Sequence, residues 1–171
     1  MVSTAKKKQV RTEKRLAKRD ELWPDAPDVT WSKAAEGWVP LLPRVLPLVA
    51  GLANRLAPKG KGDPGLTYLD LWFRTDEGDS FVRILREDHM AAGVGFTGRR
   101  MVRSWNERMQ ALEDLGLVRL QRTKGTGRIA AVLLLDPVRA VESLSGTRHD
   151  IPVEWQEAWR DRVDEAHTAP S

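Results

Sequence analysis

The stretch T-G-R-R-M-V-R-S-W-N-E-R-M-Q-A-L-E-D-L-G, residues 97–116, constrains the chain more than any other. Met101, Trp105, Leu112 and Leu115, with Met109 or Arg108 between them, recur at steps of three and four. That spacing places them on one face of a helix, and such a face needs a protein core to cover it. Arg99, Arg103, Asn106 and Gln110 repeat at the same spacing on a second face. These side-chain types can fork two hydrogen bonds onto a base edge, and Arg100 adds to a cluster of arginines at the helix start that suits phosphate. One helix with a core face and a basic, amide-bearing face is the pattern expected of a DNA reader. The competing reading is a solvated helix face, which is what most charged faces are. Two observations weigh against it. Residues 97–128 carry eight Lys or Arg against three acids. The first-turn arginines also oppose the helix dipole, which prefers anions at that end, unless a bound phosphate supplies the anion.

The segments around this helix fit the same reading. Residues 86–95 predict a short helix with Met90, Ala91 and Val94 turned inward, and residues 96–98 a turn in which Thr97 is placed to cap the long helix. A short helix, a Gly-containing turn and a longer amphipathic helix is the helix-turn-helix order. Gly116 suits a left-handed C-cap. Residues 117–122 and 129–135 then predict two strands around the turn T-K-G-T-G-R, the second nearly all apolar and therefore the more buried. Arg122, Lys124 and Arg128 sit at this hairpin's tip, a candidate wing lying along a DNA backbone.

Upstream, residues 41–57 predict a buried helix, with Pro47 kinking it or defining its first turn. Residues 58–65 form a loop, 66–75 a core helix and 81–85 a short strand. Residues 22–40 form a connector with three prolines, whose Trp23, Trp31 and Trp38 are expected to strap it across the domain rather than stack on single-stranded bases. Residues 1–21 could form a solvated helix over R-T-E-K-R-L-A-K-R but hold too little apolar surface to fold alone, and are expected to be a basic arm, disordered in isolation and able to order on a polyanion. Over residues 1–19 its cations, Lys6, Lys7, Lys8, Arg11, Lys14, Arg15, Lys18 and Arg19, meet one acid, a net of +7; the whole chain is +4, so residues 20–171 carry −3. Such an arm would bind nucleic acid without sequence preference, or serve only solubility. A short helix at 138–144 and a final amphipathic, acidic helix at 151–167 close the chain, the last packing on the domain or on a second subunit.

The arrangement G-F-T-G-R-R-M-V-R-S-W-N-E-R-M-Q-A-L-E-D-L-G-L-V-R, a Gly-rich wing and then V-L-L-L-D-P resembles winged helix-turn-helix proteins of bacterial plasmids and integrated mobile elements. The preceding T-Y-L-D-L-W-F-R is similar to the same group, and the resemblance spans roughly residues 31–144. It implies double-stranded DNA binding by a transcriptional regulator or a replication or partition accessory.

The expected fold is mainly α with a small β-hairpin, an α+β winged helix-turn-helix with extra N-terminal helices and a C-terminal helix. The expected organisation is a tail over 1–21, a connector over 22–40, the winged domain over 41–144 and a C-terminal helix with a short tail over 145–171. There is no cysteine, and the three histidines, His89, His149 and His167, lack metal-ligand spacing. G-K-G-D-P-G is not a P-loop, there is no G-x-S-x-G turn, and Asp88-His89 is only a local pair. Neither an enzyme nor a bound metal, cofactor or small-molecule ligand is expected, and neither a signal peptide nor a membrane span is evident. A cytoplasmic bacterial protein, associated with nucleoid or plasmid and able to form a homodimer, is the expectation. The alternative is a protein-interaction adaptor built on the same domain, with the arm as a nonspecific tether.

Overall fold

The computed structural model describes residues 4–31, 41–60, 62–75 and 79–168. The chain runs through helices α1 (Thr4–Leu22), α2 (Ala26–Val29), α3 (Leu41–Leu56) and α4 (Gly65–Phe73) to a first short strand, β1 (Phe81–Arg83). Helices α5 (Glu87–Gly93) and α6 (Met101–Asp114) follow, then the hairpin β2 (Val118–Arg122) and β3 (Ile129–Leu134), and last α7 (Pro137–Thr147) and α8 (Val153–Thr168). The architecture is mainly helical with one small antiparallel sheet, as the α+β expectation required.

The sheet is larger than the expected hairpin. Its order is β1-β3-β2, with Phe81 opposite Leu133 on one side of β3 and Val118 opposite Leu134 on the other. A strand flanked on both edges and packed on its faces must be apolar nearly throughout, which accounts for the run I-A-A-V-L-L. Ile129 and Ala131 through Leu134 are all buried.

The apolar stripe of α6 drives the packing. Trp105, Met109 and Leu112 are fully buried in the main core with Val45, Val49 and Leu52 of α3 and Tyr68 and Leu71 of α4. Burial pushes the Tyr68 phenol well above its ordinary pKa. Helices α3 and α4 approach so closely that a Cβ on Gly65 would lie 2.5 Å from the Ala50 carbonyl oxygen. At the other end of α6, Gly116 takes φ 69° while its N–H donates to Glu113 O and that of Leu117 to Leu112 O, the paired bonds of a Schellman cap. The chain reverses there and returns as β2. Asp136-Pro137, which follows β3, starts α7: Asp136 Oδ1 accepts the Val138 N–H at 2.8 Å. Helix α8 takes the first of its two expected roles and packs on the domain. Trp155 Nε1 donates to Leu48 O of α3 at 3.3 Å, and Trp155 stacks on Trp159 at 5.6 Å.

The N-terminal arm departs from expectation. Residues 4–22 form one helix, and its second half docks through charge rather than apolar area. Arg15 Nε donates to Asp79 Oδ2 at 2.6 Å and Arg15 Nη2 to Phe81 O at 2.7 Å. Arg19, 7% exposed, reaches Asp79 O at 3.4 Å. Trp23 then packs edge-on against Phe81, with ring centroids 6.1 Å apart, so it straps the domain as expected; Trp31 is half-buried against the core, and Trp38 lies outside the described residues. Apolar content allows a solvated helix here but gives no sign of its docking, which rests on Arg15 at the Asp79 carboxylate and Phe81 O and on Arg19 at Asp79 O. Among the described residues no helix is long and apolar enough to cross a membrane.

Candidate nucleic-acid interface

The turn between α5 and α6 carries two exposed arginines, Arg99 and Arg100. Helix α6 begins at Met101 with Arg100 in the capping position and no side-chain cap, so Thr97, which is exposed, does not cap it. The Met101 N–H instead donates to Gly98 O, closing a turn in which Gly98 has φ 79°. Arg99 and Arg100 therefore lie in the turn ahead of the helix rather than in its first turn. Both are exposed, and among the described residues neither side chain makes a hydrogen bond or ion pair. Arg103, one turn into α6, is exposed and pairs with Glu107 through Nε at 3.2 Å, a helix-surface pair easily exchanged for another partner.

The amides of the same face are engaged. Asn106 is half-buried, and its Nδ2 donates back to Val102 O at 3.1 Å while Oδ1 is buried without a partner. Gln110 is exposed, yet Nε2 donates to Asp114 Oδ1 at 2.9 Å and Oε1 accepts from Arg122 Nη2 at 2.8 Å. Arg103, Asn106, Gln110 and Arg122 do line one groove of about 370 Å³, together with Glu107 and Asp114. The predicted residues are thus brought together, but the second half of the helix face is acidic and braced. Only its beginning offers uncommitted cations.

The hairpin is aimed by a bulge. Gln121 lies opposite Ala131 and Arg122 opposite Ile129, so one residue of β3 is skipped where the turn begins. Arg122 is thereby turned onto Gln110, Lys124 stands exposed at the tip without a hydrogen bond or ion pair among the described residues, and Arg128 Nε lies 3.8 Å from Glu87 Oε2. Sequence reasoning missed Glu87. It is buried at 6% exposure, and its Oε1 accepts the Ile129 N–H at 2.8 Å, which pins the base of the hairpin to α5. Its only sequence signal was an acid at the start of a short helix, where dipole compensation already accounts for it.

Of the arm cations, Lys6, Lys8, Arg11, Lys14 and Lys18 are exposed, Lys18 beside Glu21 at 2.9 Å, whereas Arg15 and Arg19 hold α1 to the sheet. The Lys7 side chain lies outside the described ones. Arg108 and Arg119 are committed within the fold. Arg108 lies over the Phe96 ring at 4.2 Å, and Arg119 forks onto Asp25 at 2.7 and 2.8 Å, holding that carboxyl below its usual range. Asp88 turns to Arg86, whose guanidinium lowers its pKa, and not to His89. Among the described residues no group of three potential metal-ligating side chains converges. Comparison with protein-family models, with curated proteins and with solved structures finds no match for the chain.

Proposed function

We propose that the protein is a sequence-selective double-stranded DNA-binding protein of winged helix-turn-helix type, with α5 and α6 as its helix pair and β2-β3 as its wing. The observation that carries the reading is the set of uncommitted cations, Arg99 and Arg100 before α6 and Lys124 at the hairpin tip, on the two elements this architecture presents to DNA. The element order α4-β1-α5-α6-β2-β3 and the sheet order β1-β3-β2 support it. So does the Arg122–Gln110 bond that fixes hairpin against helix. The base-reading set narrows to Arg99, Arg100 and Arg103, with Asn106 and Gln110 as bracing. The role is regulation of transcription, or assistance to replication or partition, of a bacterial mobile element in the cytoplasm, without catalysis and as a homodimer on a two-fold site.

The test is selection from random and genomic duplexes at two salt concentrations, with sequencing of the bound fraction. A motif recovered at the higher salt, and lost when Arg99 and Arg103 are both replaced by alanine at about 1–3 kcal/mol per base contact, is the expected result. Binding that vanishes with salt and enriches no motif rejects selectivity. The adaptor reading then stands, and Glu107 and Asp114 in the α6 groove favour it.

A further inference from the structure

The docking of α1 creates a feature that a free arm would lack. A groove of about 680 Å³ runs between α1 and the sheet edge, and no residue of α6 lines it. Among the described residues ten line it, of which six are cations and none is an acid. Arg15 faces Asp79, Lys18 faces Glu21 and Arg74 faces Asp70, while the side chains of Arg11, Lys14 and Arg83 hold no hydrogen bond or ion pair among the described residues. Beneath this cationic rim lie apolar side chains, with Val82 and Met90 buried and Leu85 78% exposed. The groove also follows an open strand edge, since β1 pairs only with β3. The Phe81 N–H and C=O are taken by Asp79 and Arg15, which leaves Arg83 as the residue at which the edge is accessible.

We propose that this groove docks an acidic peptide segment of a partner protein, its carboxylates on Arg11, Lys14 and Arg83 and an apolar side chain against Leu85. The lining decides the class of occupant. A single nucleic-acid strand is held by stacking on aromatic side chains as well as by charge, and none of the ten lining residues is aromatic. A phosphate backbone would answer the rim cations and leave the apolar floor uncovered, whereas an extended acidic peptide with interspersed apolar residues answers both and can pair with a strand edge. The counter-candidate is a DNA backbone track, because Leu85 also borders a second groove that carries Lys124 and Arg128.

The experiment uses the full chain and fluorescence anisotropy with three labelled probes: a short peptide of Asp and Glu interspersed with Leu, a peptide of Asp and Glu alone, and a DNA duplex. Arg83→Glu and Leu85→Ser change exposed positions, so the fold, followed by circular dichroism, is retained. The Leu-bearing peptide should bind wild type and lose about tenfold in affinity in each variant, equivalent to about 1.4 kcal/mol, with duplex binding unchanged. Equal binding of the Leu-free peptide with no effect of Leu85→Ser would reduce the groove to unselective charge and overturn the proposal. Absence of peptide binding, or a loss of duplex binding in Arg83→Glu with the peptide unaffected, overturns it as well. Failure of the α6 reading is seen separately, as loss of duplex selectivity in wild type.

Discussion

Asp79 offers the sharpest test of how this domain is held together, because one buried carboxylate serves both the sheet and the arm. It is 0% exposed, accepts the Phe81 N–H at 3.2 Å and pairs with Arg15 at 2.6 Å, where Arg15 retains 17% exposure. Asp79→Asn keeps an oxygen for the Phe81 N–H and removes the charge. Breaking a buried pair costs about 3–5 kcal/mol, and the residual exposure of Arg15 moves the expectation to roughly 2–3 kcal/mol. Asp79→Ala also strands the Phe81 N–H and should cost about 1–2 kcal/mol more. Urea denaturation followed by tryptophan fluorescence measures both, since Trp23 packs on Phe81 beside the pair. A cycle with Arg15→Ala isolates the coupling. The consequence for DNA is separable by sign. Either variant raises the net charge by one, so an arm acting only through charge would bind duplex more tightly. An arm that acts from a docked position would bind no better, or worse. Stability within about 1 kcal/mol of wild type in Asp79→Ala, the low end for a buried unpaired group, would refute the docking account.

Gln110→Ala should leave motif selectivity intact, because its amide is bonded to Asp114 and Arg122; a selectivity loss as large as that of the arginine pair would restore it as a reader. Glu87→Ala should destabilise the domain by about 1–3 kcal/mol through the stranded Ile129 N–H and increase hydrogen exchange at the hairpin, and unchanged exchange would exclude the pin. The Arg148 guanidinium holds Asp150 at about 2, so NMR should find its carboxyl ionised far below the ordinary midpoint. Because this pKa is lowered by folding, the stabilisation is complete above the unfolded value near 4 and is lost as pH falls toward 2. Arg148→Ala should return the midpoint to about 4, and a midpoint still near 2 would assign the shift elsewhere.

Most elements with period-3.6 or period-2 apolar patterns were legible to within a few residues, as α3, α6, β2 and β3 illustrate. Trp105, Met109 and Leu112 of the α6 stripe are all fully buried. The failures share a cause. Helix α1 has no apolar stripe, and its docking partners, Asp79 and Phe81, lie some sixty residues away. Likewise β1 was read as a separate strand because its pairing with β3 spans the whole helix pair. At the site, residue types placed Arg103, Asn106, Gln110 and Arg122 along one groove but could not show which side chains the fold had already occupied. Asn106 turns to its own helix, and Gln110 to Arg122.

The electrostatics of α6 bear on why its beginning, rather than its whole face, should meet DNA. The helix carries arginines at its start and Glu113 and Asp114 at its end, the reverse of what its dipole favours, at roughly 0.3–1 kcal/mol for each exposed charge. The acids have structural employment. Glu113 Oε1 accepts the Leu120 N–H at 2.8 Å, tying the returning strand to the helix, and Asp114 holds Gln110 against Arg122. No comparable tie exists for the side chains of Arg99 and Arg100, which make no hydrogen bond or ion pair among the described residues. This uncompensated charge supports the DNA-binding function proposed above. A phosphate over the turn at Gly98 would convert both arginines from a penalty into contacts, and the acids near the far end of α6 would repel the same backbone and set the helix in the groove start-first.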